Sequence, residues 1–286
     1  MEKKKDILKQ IITFIIILSL ITIGIFIWMF SGARDSFPAV LLMMYSPGIA
    51  AIITSIIHKD KIHEYGWKPG KIKYLGLAYL LPLIISVIAY GLCWLTGVTE
   101  FTAEQVINYK WAKMLGFDLP APFIVGLLSK MSLGFLLTCI PVLGEEIGWS
   151  GFITPKLLKI TSVPITSLIV GVFWAVWHFP AIIGGFYGNG TPLWIALPGF
   201  TLVIVGYSFI RTVLVAKSKS LWTGVVLHSS GNVILMGIFF EMTVRKGYAA
   251  YIISETGIFT GIVCLAVALA FMKLMMNKSP VREPAA

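Results

Sequence analysis

Charge is the scarcest ingredient of this sequence. Of its 286 residues, 13% are Asp, Glu, Lys or Arg, against about 25% in a soluble domain. With 57% hydrophobic residues, that scarcity excludes a soluble enzyme carrying one membrane anchor. Cysteine is nearly missing as well: Cys93, Cys139 and Cys264 each fall in apolar runs, so they read as small core residues and not as a disulfide framework. Acidic residues are outnumbered 13 to 23, for a net charge of +10. In a chain this apolar, the basic excess sets topology and gives no reason to expect a nucleic-acid partner. No Ser–His–acid order, GxSxG or HExxH occurs. Internal repeats are also lacking, which argues against an inverted-repeat transporter.

Long hydrophobic runs are what the sequence has in abundance. A membrane helix needs about 20 largely apolar residues. Candidate spans are 11–30, 37–57, 74–96, 123–153, 164–185, 193–215, 221–241 and 250–273. The first is too long for a signal-peptide core of roughly 7–15 residues, so it is expected to be a span. The expected fold is therefore all-α: a polytopic bundle of about eight transmembrane helices, one integral-membrane domain over 1–286. Basic residues cluster on one side of this layout, at Lys3–Lys5, Lys59–Lys73, Lys156 and Lys159, Arg211 to Lys219, and Lys273 to Arg282. The other side holds Arg34, Lys110, Lys113, Arg245 and Lys246, and Lys130 is left inside a span. The positive-inside rule then predicts a multi-pass cell-membrane protein with both termini in the cytoplasm. The mixed segment 97–122 suits an interfacial helix.

Glu145 and Glu146 interrupt the fourth run, MSLGFLLTCIPVLGEEIGWSGF. A charge at bilayer depth costs roughly 3 kcal/mol on insertion scales, so two in succession point to function. His58 and His63 lie in a basic loop and read as solvated. His178 and His228 lie in spans five and seven, where a polar partner must come from another helix. At about 1.5 Å per residue, Glu145, His178, His228 and Asn232 all fall at middle depth. Asn232 follows His228 by four positions and shares its face. Gly144, Gly148 and Gly151 allow a neighbouring helix to approach closely, and Pro141 loosens the helix ahead of the pair. Two carboxylates, two histidines and an amide form a set able to activate water and stabilise an oxyanion.

These residues resemble a known family. EExxW-S-G-F at Glu145–Phe152, WxxxH at Trp174–His178 and HxxxN at His228–Asn232 look like the three motifs of the CAAX-protease and bacteriocin-processing family, also called Abi or CPBP. The resemblance covers the C-terminal half, with the catalytic helices within 123–241. It implies an intramembrane endopeptidase acting on a membrane-associated or lipid-modified peptide or protein. Glu145 with His178 would activate water, His228 and Asn232 would hold the oxyanion, and Glu146 would support Glu145. The family is described both as metalloproteases and as glutamate proteases. If it is a metalloenzyme, Glu145, His178 and His228 would be the zinc ligands, with one position open. The first motif is usually EExxxR, and Ser150 stands at the arginine position, so any ion pair made by that arginine is expected to be missing. The competing expectation is a non-enzymatic membrane protein, either a proton- or ion-coupled transporter or an immunity protein acting by binding.

Overall fold

The computed structural model describes residues 2–33, 36–103, 121–186, 188, 190–244 and 247–278. Eight of its helices are long and apolar enough to cross a membrane: α1 (Lys4–Ala33), α2 (Phe37–Ile57), α3 (Ile72–Leu95), α4 (Phe123–Leu157), α5 (Val163–Ile183), α6 (Leu193–Ser218), α7 (Trp222–Phe239) and α8 (Ile258–Asn277). Among the described residues no strand forms; Phe101 and Thr243 make an isolated antiparallel bridge. The fold is the all-α bundle the hydrophobic runs predict, and it is that of a multi-pass membrane protein.

The surface is built for lipid. Ile12, Ile16, Leu20, Ile23 and Ile27 of α1 are all exposed, a stripe at helical spacing that water would not tolerate. The interior is aromatic near the middle of the bundle. Phe14 packs on Trp149 and Phe152 at ring-centroid distances of 6.1 and 5.1 Å, and Trp149 contacts Trp174 and Trp177. Helix α6 sits at the centre, packed along α5 and α8.

Helices α4 and α7 are not regular. α4 contains wide π-turns at Lys130–Gly134 and Ile147–Ile153, and α7 becomes π-helical from Gly231 to Phe239. Such segments mark functional sites more often than chance. The glycines of α4 seat α2: an added Cβ at Gly144 would lie 2.6 Å from the Tyr45 ring, and one at Gly148 would lie 2.6 Å from the Pro47 Cβ. The small-residue spacing thus serves the close helix approach it predicts.

The structure departs from the sequence layout in several places. The eighth span begins at Ile258, not at 250. A short helix, Ala249–Ile252, is followed by a turn through Ser254, Glu255, Thr256 and Gly257, whose three polar side chains and glycine break the apolar run. Arg211 is not a flanking charge: it is 1% exposed, inside α6. Lys130 is paired with Glu241 and donates to the Gly237 carbonyl at 2.6 Å, which offsets its cost inside the span. His58 is not simply solvated; its Nε2 lies 2.9 Å from Thr13 Oγ1. His63 is exposed. Of the expected interfacial helix, residues 104–120 lie outside the described residues. Just before them, Thr102 N–H donates to Met242 O and Val244 N–H donates to Glu100 O.

Candidate active site

Glu145 and Glu146 are both fully buried at the end of the α-helical part of α4, just before the π-turn. Because adjacent helical residues diverge by roughly 100°, the two carboxylates meet different partners. Oε2 of Glu145 accepts the indole N–H of Trp174 at 2.9 Å and that of Trp149 at 3.2 Å. Two neutral donors hold this oxygen in place. Glu146 faces the other way. It accepts from the Ser150 hydroxyl, and its Oε1 lies 3.1 Å from His228 Nδ1 and 3.9 Å from Arg211 Nη1.

Glu146 therefore contacts His228, Ser150 and Arg211. Ser150 stands where that family usually has arginine, and the ion pair expected to be lost is present. Its guanidinium comes from Arg211 on α6. That group stacks 4.7 Å from the Trp174 ring and receives one bond's worth of help from Ser208 at 3.1 Å. Gly224 of α7 completes the enclosure, since a Cβ there would overlap both Ser150 Oγ and Glu146 Oε2. Only glycine lets α7 come this close.

His178 is buried on α5. Its Nδ1 lies 2.9 Å from the Trp174 carbonyl, which can only accept, so Nδ1 carries the hydrogen. In the neutral ring Nε2 is then an acceptor. Trp177 and Phe200 fix the ring plane, with centroids 4.7 and 5.0 Å away. His228 sits edge-on to Trp174 at 5.0 Å.

Glu145, His178, His228 and Asn232 all line one cavity of about 450 Å³. Its wall continues through Met29 of α1, Met43 of α2, and Gly185 and Phe186 beyond α5. Four of the five residues predicted from the sequence thus share a chamber, and Glu146 lies behind it. Sequence reasoning missed Arg211, Trp149 and Trp174 as holders of the carboxylates. The signal for Arg211 was a guanidinium in an apolar run, YSFIRTVLVA.

The stretch that carries these residues is similar to known proteins. A family model for type II CAAX prenyl endopeptidases, Rce1-like, matches residues 127–234, the stretch that carries every residue of the chamber except those from α1 and α2. A curated CAAX prenyl protease 2 from Methanococcus maripaludis is 25% identical over 237 residues, covering 74% of this chain and 79% of its own length. The chain is thus similar to CAAX prenyl proteases across these stretches. The motif resemblance therefore extends well beyond the motifs themselves.

Glu145, His178 and His228 share the chamber wall but are each turned to other partners. Among the described residues no set of three His, Cys, Asp or Glu side chains is arranged to hold a metal ion. Glu145 is turned to two indoles, His178 Nδ1 to a carbonyl and His228 Nδ1 to Glu146.

Proposed function

We propose that the protein is an intramembrane endopeptidase that hydrolyses a membrane-associated peptide or protein with water activated by Glu145. The observation that carries this reading is the single cavity shared by Glu145, His178, His228 and Asn232. A water in that chamber donates one hydrogen to the Glu145 carboxylate and the other to Nε2 of His178. Its lone pair is then free to attack a peptide carbonyl. Glu145 takes the proton as the oxygen–carbon bond forms, and later returns it to the leaving amine. The developing oxyanion needs donors. Asn232 supplies an amide N–H. His228 donates Nδ1–H to Glu146, so for Nε2 to donate as well the ring carries both protons, with Glu146 as its counter-charge.

The substrate class follows from the relatives: a prenylated protein or peptide is the first candidate, presented from the bilayer into a chamber that the helices keep away from bulk water. The test is cleavage of a farnesylated CAAX-type peptide by the purified protein in liposomes, followed by mass spectrometry. Glu145→Ala and His178→Ala are expected to lower turnover by about 10²–10⁴-fold, and Asn232→Ala by about 10²-fold. Full activity in Glu145→Ala sinks the mechanism. Prolonged dialysis against a chelator is expected to leave turnover unchanged. A chelator-sensitive activity restored by zinc would instead make the cluster a metal site. A pH-driven current without proteolysis, lost in Glu146→Gln, would favour transport.

A further inference from the structure

The hydrolytic chamber does not use Glu255, the buried acid in the turn between the short helix at Ala249–Ile252 and α8. The residue is 8% exposed. One carboxyl oxygen receives the Gly188 backbone N–H, while Oε2 has no hydrogen-bond partner. A buried polar atom without a partner is destabilising, and packing alone gives no reason for it.

The turn is rigid. Thr256 N–H donates to Ser254 Oγ, Ser254 N–H donates to Thr260 Oγ1, and the Thr256 carbonyl is packed so closely on Gly199 of α6 that no Cβ fits there. Gly188 itself has φ +92°, a conformation that favours glycine. The carboxyl is thus held from two sides and aimed inward.

It is aimed at a junction. Glu255 and Met236 both line a vestibule of about 820 Å³ bordered by Phe186, Thr191 and Leu193. The same two residues line a narrow space of about 50 Å³ whose walls include His178, His228 and Asn232. Across that narrow space stands Tyr207, 6% exposed, whose hydroxyl is also without a partner. One unpartnered acceptor and one unpartnered hydroxyl donor match the two polar atoms of a peptide group.

We infer that Glu255 and Tyr207 form a subsite that binds a backbone peptide group of the substrate chain between the vestibule and the catalytic residues. The substrate N–H donates to Glu255 and the Tyr207 hydroxyl donates to the substrate carbonyl. A cation would need both charges desolvated among apolar walls.

This rests on the endopeptidase reading, and the test separates the two. The Kd of a fluorescent farnesylated CAAX-type peptide is measured in nanodiscs on a Glu145→Gln background, where cleavage is not needed. Adding Glu255→Met is expected to weaken binding about tenfold, and Tyr207→Phe several-fold. Glu255→Gln keeps the acceptor oxygen and is expected to bind like the parent. In a scan of N-methylated peptides, one position should lose affinity in the parent and lose nothing further in Glu255→Met. Equal affinity in Glu255→Met, or no binding to either protein, overturns the subsite. A Gln variant as weak as Met also overturns it, because charge would then be the determinant. Unaltered binding energetics with full turnover in Glu145→Ala would defeat the endopeptidase reading alone.

Discussion

Arg211 shows how one residue can be invisible in a sequence and central in a structure. It occupies an apolar run close to Lys217 and Lys219, so charge counting assigns it to a loop. In the fold it is buried beside Glu146, and neither Nε nor Nη1 has a hydrogen-bond partner. Its role is charge balance. Removing it leaves Glu146 buried with only His228 and Ser150 as partners, and breaking a buried pair costs about 3–5 kcal/mol. Arg211→Met is therefore expected to lower the thermal midpoint sharply, and the double variant Arg211→Met/Glu146→Leu to recover much of it, as read by unfolding in detergent. A double variant no more stable than the single one would show that Arg211 acts through its stacking on Trp174 instead. The residues that were legible, Glu145, Glu146, His178, His228 and Asn232, share one property: each is polar in a run where polarity is expensive. Trp149 and Trp174 were illegible as carboxylate donors because an indole in an apolar helix has a sufficient reason to be there without its N–H.

At the scale of helices, spacing was readable and partnership was not. Eight runs gave eight helices, and the GxxxG pattern at Gly144 and Gly148 announced a close neighbour. That the neighbour is α2, through Tyr45 and Pro47, needs the three-dimensional packing. Gly148→Ala places a Cβ 2.6 Å from Pro47 Cβ and 2.7 Å from its carbonyl oxygen, an overpacking expected to cost about 1–3 kcal/mol. Gly76→Ala meets nothing within 4 Å and gains helix propensity of just under about 1 kcal/mol. Thermal unfolding of the two variants should move in opposite directions. At the basic end, Lys156 joins α4 to the loop after α2 by pairing with Asp60 and donating to Gln10 at 2.5 Å. Burial would raise the Asp60 carboxyl, but the Lys156 hydrogen bond and charge outweigh it and hold the group below its ordinary value. A depressed folded-state value adds stability that is complete above the unfolded value of about 3.9 and is lost as pH falls through the folded one. Asp60→Asn should therefore be less stable than the parent at pH 6, with the gap narrowing only as pH falls below about 4 towards the lowered folded-state value. A gap that does not narrow between about pH 4 and about pH 2 would show the contact to be packing and not charge.

For the whole molecule, an even number of spans puts both termini at one end of the bundle. The chamber lies nearer the other end. Its wall includes Met29 at the close of α1, Val40 at the start of α2, and Gly185 and Phe186 after α5, and the vestibule is bordered by the 185–193 loop. The active residues are thus reached from the face opposite the lysine clusters at 3–9 and 59–73. Losing Arg211 from the charge count does not change this balance, because those clusters remain. Charge asymmetry sets orientation through the short loops near the span ends, so the termini are expected in the cytoplasm and the vestibule on the outer side. A cysteine placed at the exposed Leu193, in a background where Cys93, Cys139 and Cys264 are replaced by Ala, should react with a membrane-impermeant maleimide added to intact cells. One at Lys71 should react only after lysis. The opposite pattern would invert the protein and open the vestibule to the cytoplasm. That arrangement would admit lipid-modified proteins straight from the cytoplasm, whereas the expected one takes a lipid-modified peptide after it has entered the membrane. The labelling result therefore decides which substrates can reach Glu145 before any cleavage assay is run.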